Sequence, residues 1–170
     1  MREFLTPPER PSKFDLNYIK GIAEYQFGHV ASNLLFQKNS FFIRRSINTQ
    51  KIREVLTDSY ELFLVLRAQT SLFSLTTVSA RVLLDGLQRP RFRVVVMNSV
   101  KDYIKVGQNV FCKHIISADP GIRSGDEAIV VDEEDELIGV GRAKVSGLEM
   151  NQIRRGMAVS MKRGVIRDED

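Results

Sequence analysis

Basic side chains and glycines alternate in the second half of this chain in a pattern suited to gripping a phosphate backbone. Lys101 and Lys105 lie four residues apart, Gly107-Gln108-Asn109 follows, and Lys113 comes next. Further on stand Arg154-Arg155 and Lys162-Arg163-Gly164. Glycine lets a polyanion approach the main chain closely, and flanking Lys and Arg donate charge-assisted hydrogen bonds to phosphate oxygens. If segments this far apart in sequence converge in space, they form a groove for a nucleic-acid backbone. Otherwise they are ordinary solvated surface, so convergence is what the fold must decide.

Residues for covalent or acid–base chemistry are sparse. His29 and His114 are the two histidines, and Cys112 is the one cysteine. On a strand, Cys112 and His114 would face the same side, as a nucleophile and its base or as half a metal site. No third orienting group is evident. One thiol makes neither an internal disulfide nor a Cys-rich zinc site. Inside the apolar run Val110–Ile116 the simplest role for Cys112 is a small buried hydrophobe. The chain has no P-loop, no dinucleotide fingerprint, no GxSxG and no HExxH. Gly139-Val140-Gly141 falls within a strand-like run, which suits close strand packing better than a nucleotide loop. The expectation is a protein without catalytic residues, metal or cofactor.

The net charge of +4 is unevenly placed. Residues 91–170 hold 13 bases and 13 acids, but five acids form the run Asp132-Glu133-Glu134-Asp135-Glu136 and three more are Asp168, Glu169 and Asp170. Outside those two patches 13 bases face five acids. A basic face is therefore available, with the acidic run expected as a solvated hairpin tip. The first residues, MREFLTPPERPSKFD, contain no apolar signal core. No apolar run approaches the roughly 18–20 residues that cross a bilayer. The expected location is the cytoplasm, without a membrane partner.

The elements that must position these groups are legible in outline. Pro7, Pro8 and Pro11 make residues 1–14 an extended arm. Asp15 is a plausible N-cap for a helix over Leu16–Phe27, packed through Leu16, Ile19, Ile22 and Ala23. Gly28 breaks it, and a second helical piece runs over Val30–Phe36. Ser40–Ile43, Leu62–Leu66 and Leu72–Leu75 read as strands, and Thr76–Leu84 as a helix with Val78, Val82 and Leu83 buried. Residues 15–88 thus form a small α+β domain, ended by Gly86–Pro90.

Beyond it, Phe92–Met97 is a strand, and Ser99 with Asp102 is a capping box for a short helix facing inward through Val100, Tyr103 and Ile104. Val110–Ile116, Ala128–Val131 and Leu137–Val145 are strands, the last two forming a hairpin around the acidic run. Ser146-Gly147-Leu148-Glu149 is a second capping box, and Met157–Met161 closes the domain as a strand. The order is β-α-β-β-β-α-β, which suits a small barrel or sandwich. Residues 166–170 are left as an acidic tail.

These residues resemble a known family. The element order, the Gly107 loop, Ser124-Gly125-Asp126-Glu127, Ile138-Gly139-Val140-Gly141-Arg142-Ala143 and Gly156-Met157-Ala158-Val159 look like a PUA domain, an RNA-binding pseudo-barrel, over residues 91–165. Ile22-Ala23-Glu24-Tyr25-Gln26-Phe27-Gly28, Leu34-Leu35-Phe36, Leu66-Arg67-Ala68, Leu72-Phe73-Ser74-Leu75 and Ala80-Arg81 resemble the pre-PUA domain of archaeal archaeosine tRNA-guanine transglycosylases. His29-Val30 departs from that pattern, which often has small or basic residues there.

The resemblance implies an α+β chain like the C-terminal half of such an enzyme, without its catalytic barrel, catalytic aspartates or zinc-binding cysteines. It does not carry transglycosylase activity to this chain. It implies a tRNA-binding protein gripping the acceptor stem and CCA end through Lys105, Gly107, Gln108, Asn109, Lys113, Lys162 and Arg163. The partners implied are tRNA and a catalytic transglycosylase or other tRNA-modifying subunit. A PUA-containing adapter acting at the ribosome is the alternative, and an enzyme built on Cys112 and His114 is a third reading.

Overall fold

The structure is a computed structural model that describes residues 4–38 and 40–166. The chain divides into two compact units between Gly86 and Leu87. Most of the expected acidic tail lies outside the described residues.

In the first unit the helix α1 spans Lys13–Phe27 and starts three residues before the expected point. Its N-cap is Ser12, which corrects the assignment to Asp15. The Ser12 hydroxyl accepts the Asp15 amide, and the Asp15 carboxylate accepts the Ser12 amide at 2.9 Å. Asp15 is therefore the third helical residue of a capping box. Burial opposes ionisation of its carboxyl, but Arg45 and Ser12 outweigh burial and hold it below the ordinary value. The buried stripe is Asp15, Ile19, Ala23 and Phe27, while Leu16 and Ile22 are only half-buried. Gly28, at φ 89°, turns the chain into α2, His29–Leu35.

A four-stranded antiparallel sheet follows, in the order β1 (Phe42–Arg45), β2 (Ile52–Leu56), β3 (Leu62–Leu66) and β4 (Phe73–Leu75). No strand is expected from sequence at β2, because Arg53 and Glu54 interrupt its apolar residues. Arg53 and Glu54 are half-buried, and Glu54 pairs with Arg44 across the β1–β2 ladder at 3.4 Å. The arm is docked: Glu9 and Ile43 exchange two main-chain hydrogen bonds, and the Arg10 guanidinium lies 3.9 Å over the Phe42 ring. The helix α3, Thr77–Gly86, buries Ser79, Ala80 and Leu83. Val78 and Val82, expected inside, are half-buried.

The second unit is a six-stranded sheet in the order β6-β10-β9-β8-β5-β7. Its strands are β5 (Arg93–Val96), β6 (Val110–Phe111), β7 (Ile115–Ala118), β8 (Glu127–Val131), β9 (Leu137–Ala143) and β10 (Met157–Gly164). Two helices join it, α4 (Lys101–Lys105) and α5 (Gly147–Gln152). The strands β5 and β8 pair parallel, and every other pair is antiparallel. The outer strands β6 and β7 are joined by only three residues, a 3₁₀ turn at Cys112–His114. Three residues span at most about 10 Å. The two sheet edges must therefore curl toward each other, giving a nearly closed barrel around Val94, Val130, Ile138, Met150 and Val159.

That corner corrects the single strand expected over Val110–Ile116. Buried residues run Val110, Cys112 and then Ile115, so the spacing changes from two to three at the turn, while the unbroken apolar composition of the segment reads as one strand. The helix α4 also departs from expectation. It is preceded by a 3₁₀ turn at Asn98–Val100 and has no side-chain cap, so the Ser99–Asp102 capping box is absent. By contrast, Ser146 and Glu149 form the expected reciprocal box on α5, and both Ser146 groups hold the Glu149 carboxyl below its ordinary value.

Candidate nucleic-acid interface

Six of the seven RNA-contact residues implied by the resemblance come from two segments that the fold brings together. The first is the end of α4 and its loop, Lys105 to Asn109. The second is the end of β10, Lys162 and Arg163. The Ile166 amide donates to the Lys105 carbonyl at 3.1 Å, and the Met161 amide donates to Asn109 Oδ1 at 2.9 Å. Asn109 therefore joins the loop to β10, and its carbonyl oxygen is already engaged.

Gly107 has φ 95°, a left-handed conformation that costs an L-residue strain, and the space beside it is open. Gly107 and Gln108 are exposed. Lys162 falls at an irregularity in the β9–β10 ladder, between Met161 and Arg163, and is exposed. An irregularity of this kind re-aims a side chain. Arg163 is half-buried. Lys105 lies with its Nζ 4.0 Å from Asp102, a weak surface pair. Gly139 and Gly141 of β9 meet β10 so closely that an added Cβ would stand 2.4 Å from the Arg163 carbonyl and 2.5 Å from that of Ser160. These glycines serve strand packing and not a nucleotide loop.

Lys113 stands apart from the other six. It belongs to the 3₁₀ corner, where the Cys112 amide donates to the Gly156 carbonyl at the start of β10. From Gly156 to Lys162 is six strand residues, about 20 Å along β10. The residue that follows the corner, Ile115, accepts from Arg154 Nη1 at its carbonyl at 3.4 Å. The corner also breaks the Cys112–His114 pair as a shared strand face. Cys112 is 1% exposed and burial pushes the pKa of its thiol up, the opposite of what activates a nucleophile. Among the described residues no group of three or more His, Cys, Asp or Glu is arranged to hold a metal ion. Among them, too, no helix is long and apolar enough to cross a membrane.

Tyr103, expected to face inward, is 70% exposed. Its carbonyl accepts the Gln108 amide at 3.3 Å, so it sits at the base of the Gly107 loop. An exposed aromatic beside basic residues is a platform on which an unpaired base stacks. The 3₁₀ turn before α4 shifts the phase of the buried face to Ile104, and the spacing of the sequence gives no sign of that turn.

The acidic run is more than a solvated tip. Asp132 is 3% exposed. Its Oδ1 accepts the amides of Glu134 and Glu136, and its Oδ2 lies 3.3 Å from Lys101 Nζ. Burial opposes its ionisation, but the Glu136 amide and Lys101 prevail, and its carboxyl stays below the ordinary value. Asp135 pairs with Arg93 at 2.9 Å and with Arg89 at 3.1 Å. Two of the five acids are thus paired with cations within the unit, while Glu133, Glu134 and Glu136 are exposed.

Comparison with known proteins follows the same two-part division. Residues 17–90 match the patch-forming domain C2 of tRNA-guanine transglycosylase, and residues 92–165 match the PUA domain. The tRNA-guanine(15) transglycosylase of Methanobrevibacter smithii is 36% identical over 156 residues, which is 92% of this chain and 23% of that protein. That of Pyrococcus abyssi is 38% identical over 158 residues, or 92% of this chain and 26% of that protein. The chain spans about a quarter of the length of these curated relatives. In fold it is similar to a hypothetical protein of Pyrococcus horikoshii OT3, with TM-score 0.73 at 24% identity over 93% of this chain and 94% of that one. It is likewise similar to a PUA domain of Aeropyrum pernix K1, with TM-score 0.70 at 14% identity over 95% of this chain and 86% of that one. With a patch-forming C2 domain followed by a PUA domain, the chain is homologous to the C-terminal region of archaeal tRNA-guanine(15) transglycosylases.

Proposed function

We propose that this chain binds tRNA and lends that affinity to a tRNA-modifying enzyme, without itself carrying the catalysis. The observation that carries the reading is the homology of both units, in order, to the C-terminal region of enzymes named for acting on tRNA. The meeting of the α4 loop with the end of β10 supports it, since this gathers Lys105, Gly107, Gln108, Lys162 and Arg163 beside the exposed Tyr103. Such a surface holds a structured RNA through its phosphates and receives a splayed, single-stranded end by stacking. The acceptor stem and the CCA end of tRNA fit that description. The reaction served would be the one that leads to archaeosine, with a catalytic transglycosylase subunit as partner. In this reading residues 91–165 grip the RNA, and residues 15–88 form a separate α+β domain.

A gel-shift titration tests it, using tRNA with and without its CCA end and a random RNA duplex of similar length. Tighter binding to intact tRNA than to either competitor is the expected result. Equal, weak binding to all three would exclude the proposal.

A further inference from the structure

The helix α4 carries half of the proposed RNA grip, yet it cannot hold itself in place. It has five residues, far short of the roughly 12–15 at which an isolated helix becomes even marginal in water. It has no side-chain N-cap of its own. Its C-terminal end and the loop after it are fixed by β10 and the residues that follow that strand, through the Ile166–Lys105 and Met161–Asn109 hydrogen bonds. Its N-terminal end is held by the acidic tip between β8 and β9. The Asn98 amide donates to Glu133 Oε1 at 3.0 Å, and Asn98 Nδ2 donates to Glu134 Oε1 at 3.1 Å. Lys101, the first residue of α4, reaches the buried Asp132. Behind the tip, Asp135 is tied to the buried Arg93 at the start of β5.

We propose that the acidic tip is a clamp that sets the position of α4, and through it the loop Lys105–Asn109, with Glu133 and Asp132 as positioning residues for RNA binding. The inference rests on the RNA reading above. It assigns the acids a role opposite to the one their charge suggests. An acidic run beside a polyanion would repel it, and deleting an acid would then tighten binding. A clamp predicts the reverse, because a loop that must first be ordered binds more weakly.

The test is a titration of tRNA against the wild type, Glu133→Ala, Glu133→Gln and Glu136→Ala, with amide hydrogen exchange at Asn98 measured without RNA. Glu133→Gln keeps an acceptor oxygen for Asn98. Glu136→Ala removes the same charge from a side chain outside the clamp. The expected result is binding about fivefold weaker for Glu133→Ala, the size of one lost hydrogen bond. Glu133→Gln should stay within about twofold of wild type, and Glu136→Ala should equal or exceed it. Equal or tighter binding by Glu133→Ala would overturn the clamp, and so would equal weakening by the Ala and Gln variants. If the wild type itself does not bind tRNA, the RNA reading fails. Exchange at Asn98 then decides the clamp alone: faster exchange in Glu133→Ala upholds it and unchanged exchange rejects it.

Discussion

Gly164 packs directly on the main-chain carbonyl of Lys105. A Cβ added to this glycine would lie 1.9 Å from that oxygen and 3.0 Å from the Gly107 nitrogen. No side chain is tolerated there without moving the end of β10 away from α4. The two halves of the proposed grip are thus held together by a contact that only glycine permits.

Gly164→Ala should therefore destabilise the second unit by about 1–3 kcal/mol, the usual cost of overpacking. Urea unfolding measures it. The same variant should weaken tRNA binding, because Lys162 and Arg163 then separate from Lys105. Gly21→Ala is the comparison: an added Cβ there meets nothing within 4 Å on α1, and stability should be unchanged or slightly raised.

Asp132 gives the second unit a defined acid sensitivity. Its folded pKa lies below the ordinary 3.8. Its contribution is therefore fully present above the unfolded value and is lost as pH falls through the folded one. Asp132→Asn should cost about 2 kcal/mol at pH 7, since it breaks the Lys101 pair at a buried site. The gap between wild type and variant should narrow as pH falls below about 4. Unfolding curves at pH 7, 5 and 3 would reveal this, and a gap constant with pH would refute the assignment.

The basic residues should separate into two groups by their salt dependence. Lys162→Ala is expected to weaken tRNA binding and to lower the slope of log affinity against log salt by about 1, as loss of one phosphate contact does. Lys113→Ala, at the far end of β10, should have the smaller effect on binding to a CCA-ended acceptor stem. Titrations between 50 and 200 mM salt, a range in which phosphate contacts are strongly felt (about tenfold or more), measure both.

Much of this was legible in the sequence where the information is local. The Ser146–Glu149 capping box, the strand Leu62–Leu66 and the hairpin around the acidic run follow from turn chemistry and alternation within a few residues. In the motif Tyr25-Gln26-Phe27-Gly28 that carries the family resemblance, Tyr25 is exposed and the other three residues serve packing. The Gln26 amide completes the edge of β4 with two hydrogen bonds to Phe73, Phe27 is buried, and Gly28 makes the turn between helices.

What stayed hidden depends on partners distant in sequence. The strand β2 carries Glu54 opposite Arg44 of β1, a pairing that the pattern of β2 by itself does not reveal. The acidic run reads from the sequence as solvated, because its partners Arg89, Arg93, Asn98 and Lys101 lie more than 30 residues earlier. The resemblance implies Lys113 as part of the grip, and the strand expected over Val110–Ile116 gives no sign of the 3₁₀ corner at Cys112–His114 that sets it apart from the other six. The spacing of the sequence points Tyr103 inward, because a 3₁₀ turn leaves no periodic trace.

The proposed function requires the α4 loop and the end of β10 to form one RNA-binding surface. The most direct measurement is an amide chemical-shift map recorded while adding an acceptor-stem minihelix that ends in CCA. The largest shifts are expected on Tyr103 to Asn109 and Met161 to Gly164, weakening when the CCA end is removed. Shifts concentrated on α1 or on the Lys113–Arg154 end of β10, or no shifts at all, would contradict it.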